Sequence, residues 1–118
     1  MSDSAAQRVV PGERFFEIDM RVGRVAECAP IPQARRPAYR MVIDFGTLGR
    51  RTSSGRITDN YTPEQLIGSL VVAVVNLPTR QVGPVRSEVL VLGAYQHGTD
   101  RVGLLRPDGD CSPGDRVG

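Results

Sequence analysis

The 118-residue chain contains no tryptophan, one histidine and two cysteines, and all fifteen of its Lys/Arg positions are arginine. Each shortage closes off some chemistry. Without lysine there is no phosphate-loop lysine, no Schiff base and no Ser–Lys dyad. His97, Cys28 and Cys111 fall short of the roughly four ligands of a structural zinc site, so neither metal nor cofactor is expected. The cysteines are too few for a disulfide framework and read as reduced thiols. Ser53-Ser54-Gly55 lacks the leading glycine of a nucleophile elbow. His97 falls in a predicted turn with no group to orient it. There is no phosphate loop, Rossmann fingerprint or HExxH, and the expectation is a protein that is not an enzyme. The longest apolar run, Leu70–Val75, is far below the roughly 20 residues that cross a bilayer and reads as a buried strand. The opening MSDSAAQRVVPG lacks the basic start and apolar stretch of a secretory signal. A cytoplasmic protein without membrane insertion is expected.

What remains is an ordinary globular composition, 40% hydrophobic and 24% charged. A chain of this length holds one core, burying roughly two-thirds of its unfolded surface. Residues 1–12 read as a flexible tail and 13–118 as a single domain. Charge is unevenly spread: between Arg35 and Arg56 six arginines (35, 36, 40, 50, 51 and 56) face Asp44 alone, a net of +5 against +2 for the whole chain. Arginine presents a planar fork that suits phosphates and stacks on rings. Such a cluster is either the footprint of a polyanion site or a solvated basic face.

The pattern is largely of strands. Glu13–Ile18 suits one helical turn carrying Phe15 and Phe16. From Met20 the chain alternates, with Met20, Val22, Ala26 and Cys28 on one face, and Arg24 breaks the alternation after Gly23, where a bulge or bend belongs. After the loop PIPQARRP, Tyr39, Met41, Ile43 and Phe45 alternate with Arg40, Val42 and Asp44. GTLGRR forms a hairpin tip and Thr52–Ile57 returns. TPEQLIG is a one-turn helix, with Thr62 as cap, Pro63 at its start, Gln65 completing a capping box and Gly68 ending it. Leu70–Asn76 and Glu88–Tyr95 are further strands around a Pro/Gly/Arg loop, and HGTD turns into a short strand, Val102–Arg106. Three strands, a short helix and two strands is the order of a five-stranded OB-fold barrel, an all-β architecture, here with N- and C-terminal extensions.

FFEIDMRVGRV, PQARRPAYRMVIDFG, SSGRIT, YTPEQLIG, VVAVVNLPTRQ and SEVLVLGA, in this order and spacing, resemble the CsaA-type branch of the tRNA-binding-domain family. The match runs from about Phe15 to about Pro107. The resemblance implies a homodimer of OB-folds that binds tRNA without catalysis. For the CsaA branch it also implies an export-related chaperone that holds unfolded precursor proteins and meets Sec translocation components. An alternative is a protein that chiefly binds polypeptide, with RNA binding incidental.

Carried over by position, Asn76, Ser87 and Glu88 line the family's cleft, and Arg35, Arg36, Arg40 and Arg56 match positions often basic or polar. Tyr39, Ser53, Ser54 and Arg80 complete the expected RNA or peptide site. Tyr39 has two open readings, core packing and a stacking surface. Phe15, Phe16, Leu104 and Leu105, on the additions to the barrel, are the expected dimer contacts. The chain departs from the family in the 77–87 loop: a usual glycine falls on Pro84, with the glycine displaced to Gly83, and aromatic positions are aliphatic at Leu77 and Val85.

Overall fold

The computed structural model describes residues 8–118, so residues 1–7 of the expected tail lie outside the described residues. A 3-10 helix, Gly12–Glu17, leads into β1 (Met20–Pro30), the longest strand. There follow β2 (Tyr39–Asp44), β3 (Arg50–Gly55), α1 (Pro63–Leu66) and β4 (Leu70–Val74). Next come β5 (Arg80–Val82), β6 (Val85–Ser87), β7 (Leu90–Val91), β8 (Gly93–Tyr95), β9 (Val102–Leu104) and β10 (Arg116–Val117). The main sheet is antiparallel with order β3-β2-β1-β4-β7, and its two ends approach to form a nearly closed five-strand barrel, the OB-fold class expected. β5–β6 and β8–β9 are separate hairpins, and β10 adds to the start of β1.

The β2 alternation places Tyr39, Met41, Ile43 and Phe45 inside, where they meet Val25, Leu66, Val71, Ala73 and Val89. The bulge comes slightly later than expected. Val25 pairs with Ile43 and Glu27 with Val42, leaving Ala26 as the extra residue. A bulge reverses which residues face inward. Val25 therefore points into the core before it and Cys28 packs against the core after it, correcting the single face proposed for Met20, Val22, Ala26 and Cys28. Gly23 also faces inward, because a Cβ there would stand 2.5 Å from Ile43 Cγ2.

Thr62 Oγ1 accepts the Gln65 N–H at 3.3 Å, and Gln65 Oε1 accepts the Thr62 N–H at 2.8 Å, the capping box as expected. That helix seats the fully buried Leu66 under the barrel. Several strand boundaries differ from expectation. β3 starts at Arg50, inside the expected hairpin tip, and ends at Gly55 rather than Ile57, and β4 and β9 stop at Val74 and Leu104. The Pro/Gly/Arg loop contains the β5–β6 hairpin, turned by Gly83 at φ +57° and Pro84. Glu88–Tyr95 is broken at Leu92, whose N–H bonds Val72 in β4 while its carbonyl accepts from Leu105. The polar tail returns to the sheet as β10.

Candidate nucleic-acid interface

The site starts from how the barrel closes. β3 and the β6–β7 segment share no regular ladder; side chains supply much of the bonding. Glu88 N–H donates to the Thr52 carbonyl at 2.7 Å, and Glu88 Oε1 accepts the Thr52 N–H at 2.9 Å. Ser87 Oγ accepts the Ser54 N–H at 3.2 Å, and Ser53 Oγ donates to the Val89 carbonyl at 2.9 Å. The residues Ser53, Ser54, Ser87 and Glu88 thus form one seam, satisfying backbone groups that would otherwise be orphaned.

A small apolar cluster of Ile31, Ala38 and Val85, with Ala34 against it, holds the β1–β2 loop beside the β5–β6 hairpin. Val85 is buried in this cluster. Between loop, seam and hairpin lies a cleft of about 1220 Å³. Arg35 and Arg36 line it from the loop, Arg56 from beyond β3 and Arg80 from β5. Its apolar lining is aliphatic: Ala34, Ala38, Leu77, Pro78, Val82, Val89 and Leu90. Leu77 and Leu90 are both markedly exposed, at 39% and 46%. Ser54, Ser87 and Glu88 form its seam side. A smaller depression of about 600 Å³ lies beyond Glu88, lined by Arg40, Thr52, Pro84, Val85 and Arg86. The arrangement offers forked cations around an apolar floor, suited to an anion carrying apolar groups.

The expected residues do not all converge. Arg35, Arg36, Ser54, Arg56, Arg80, Ser87 and Glu88 line the cleft, whereas Arg40 lies in the neighbouring depression, with Glu27 at 3.9 Å. Tyr39 is a core residue whose hydroxyl donates to the Tyr61 carbonyl at 2.7 Å; burial pushes its pKa up. That corrects its stacking reading: the ring is inside. Ser53 has no exposed surface and serves the seam, so it cannot contact a ligand in this conformation. Asn76 Oδ1 accepts the Asp19 N–H at 2.9 Å and its amide donates to the Glu17 carbonyl at 2.8 Å. This side chain therefore ties the N-terminal 3-10 helix to the end of β4 and does not line the cleft.

Among the expected dimer contacts, Phe15 and Phe16 stand exposed in edge contact at 5.5 Å, and Leu105 is exposed. Leu104 instead packs against the main core, because alternation on β9 turns it inward with Val102. Gln33, Leu77, Pro78, Val82, Leu90 and, in the depression, Arg86 were not anticipated as lining. The strands that present Val82 and Arg86, β5 and β6, are three residues each, and residues 77–87 read as a loop.

His97 sits exposed in the β8–β9 turn and does not line the cleft. Among the described residues no group of three or more His, Cys, Asp or Glu is placed to hold a metal ion. No described helix is long and apolar enough to cross a membrane.

A family model described as "Putative tRNA binding domain" matches residues 20–116. The methionine–tRNA ligase of Thermotoga maritima is 35% identical over 114 residues, 97% of this chain but 18% of the ligase. That of Porphyromonas gingivalis is 36% identical over 89% of this chain and 15% of the ligase. The chain thus spans less than a fifth of the ligases it matches. Among solved structures, the chaperone CsaA of Bacillus anthracis superposes with TM-score 0.89 and 41% identity, covering 94% of this chain and all of that one. The CsaA chaperone protein of Picrophilus torridus gives 0.86 and 40%, covering 93% and 100%.

Proposed function

The chain belongs to the tRNA-binding-domain family, and on that premise we propose that it is a non-catalytic homodimeric protein that holds tRNA in the arginine-lined cleft. One observation carries the reading: Arg35, Arg36, Arg56 and Arg80, from three separate segments, converge on one concave site. Residues 13–118 act as the binding unit. Guanidinium groups take the phosphates, and each phosphate neutralised releases counterions. The aliphatic floor excludes water and accepts sugar or base faces. With no aromatic ring in the cleft, recognition of folded shape and phosphate fits better than stacking on successive bases. Exposed Phe15, Phe16 and Leu105 supply apolar surface for a two-fold partner.

The test is tRNA binding across a salt series. Replacing one cleft arginine with glutamine is expected to lower the slope of log K against log salt by somewhat under one unit. Arg50→Gln, at the opposite end of β3 from Arg56, is expected to leave the slope unchanged. A variant lacking all four cleft arginines that binds tRNA with parental affinity and slope overturns the proposal.

The exposed Leu77 and Leu90 favour one second reading, capture of unfolded polypeptide, which the CsaA chaperone structures parallel. Precursor-protein binding that persists at high salt and fails in Leu90→Asp supports it. Export precursors and Sec components belong to this reading.

A further inference from the structure

One acidic side chain stands among the arginines of the site. Glu88 lies between the cleft and the smaller depression and lines both. Arg56 and Arg80 border the first, Arg40 and Arg86 the second. The ion pairs among the described residues are Arg21–Asp19 and Arg40–Glu27, and Glu88 makes none. Its one side-chain hydrogen bond is the Thr52 N–H on Oε1; Oε2 has no protein partner among the described residues.

A carboxylate opposes phosphate binding, since like charges repel in a cleft as they do elsewhere. It favours a ligand that also brings N–H donors, because an ionised carboxylate only accepts hydrogen bonds. RNA supplies such donors where a base is unstacked and its Watson–Crick edge is free. Guanine alone among the four bases presents two adjacent donors there, N1–H and the 2-amino group. Adenine and cytosine set one amino group beside a bare ring nitrogen, and uracil sets one N–H between two carbonyls. An acceptor-only partner bonds guanine twice and meets at least one lone pair on each of the others. Leu77, Val82 and Leu90 give the base apolar faces to lie against.

We infer that Glu88 is a specificity-determining residue that selects an unstacked guanine through N1–H and the 2-amino group, while the surrounding arginines hold the flanking phosphates. The assignment rests on the tRNA-binding reading above. Its consequence is a base preference superimposed on binding that is otherwise directed at shape and charge.

The experiment uses the full chain and five-nucleotide single-stranded RNAs, uridine except at the centre, read by fluorescence anisotropy at fixed salt. The central base is guanine, hypoxanthine, adenine or uracil. Hypoxanthine keeps N1–H and lacks the 2-amino group. Guanine is expected to bind about tenfold tighter than adenine or uracil, with hypoxanthine between, the scale of one good bidentate pair. Glu88→Gln keeps a carbonyl oxygen for the Thr52 N–H and puts a donor where Oε2 stood. It is expected to melt like the parent and to bring the four RNAs within about twofold, the loss of that pair.

Equal binding of all four RNAs by the parent overturns the inference while leaving tRNA binding intact. So does a Glu88→Gln protein of parental melting that keeps the parental ratios. If that variant unfolds, the parent's own series decides. A parent that binds neither these RNAs nor tRNA overturns this inference and the proposed function together. Weakened capture of an extended lysine-rich peptide by Glu88→Gln, with base ratios unchanged, reassigns the carboxylate to polypeptide and overturns the inference.

Discussion

Cys28 is half-buried at the edge of the core, and burial together with the nearby Glu64 charge pushes its thiol from an ordinary 9.0 up to about 11. The folded protein therefore holds this proton more tightly than the unfolded chain does. The associated stability is fully present below pH 9 and is lost as pH rises through about 11. Cys28→Ala is expected to flatten the fall in denaturation midpoint between pH 8.5 and 10.5; an unchanged fall would mean the thiol is not responsible. Tyr39, raised by its own burial, contributes in the same direction and remains in that variant. At this scale the arginine clustering between 35 and 56 was visible in the linear sequence but matches the cleft only in part. Arg35, Arg36 and Arg56 line it, Arg40 lies in the neighbouring depression, Arg50 and Arg51 line neither, and Arg80 comes from outside the cluster. Ser53, Tyr39 and Asn76 were not separable from true cleft residues. Each carries polar atoms whose partners lie 22 to 59 positions away in the chain, and nothing local announces those bonds.

Elements with local causes were readable; elements made by distant pairing were not. The β2 alternation and the α1 capping signals act within a few residues, and both took the expected form. Thr62→Ala removes the acceptor for the Gln65 N–H, and a stability loss of about 0.5–2 kcal/mol is expected by urea denaturation. A loss within error would show that tertiary packing of Leu66 alone holds the turn. β5, β6 and β10 are two or three residues long, too short to display a period. The tail is positioned by close approach: a Cβ on Gly46 would meet the Pro113 carbonyl oxygen at 2.5 Å, and one on Gly114 the Phe45 carbonyl oxygen at 2.7 Å. These glycines also adopt φ of +66° and +94°, which side chains strongly disfavour.

The described residues measure 40 × 37 × 28 Å with a radius of gyration of 14.8 Å, slightly above the roughly 13–14 Å of a compact domain of this size. Exposed apolar groups stand on its extensions, with Phe16 69% exposed. Phe16→Asp is expected to convert a dimer to a monomer in sedimentation velocity at micromolar concentration. A parent that already sediments as a monomer would remove dimerisation from the proposed function. The closing seam has a consequence for motion. β1 is zipped to β2 and β4 along long ladders, whereas β3 meets the β6–β7 segment through a few bonds, most involving side chains. The barrel therefore has a weakest line, and local opening should run along it at lower free energy than global unfolding. In native-state hydrogen exchange the Thr52 and Ser54 amides are expected to exchange with far less protection than those of Val71 and Ile43. Because that line borders the cleft, a bound ligand that touches both banks would slow exchange there first, like a clasp closing a cuff.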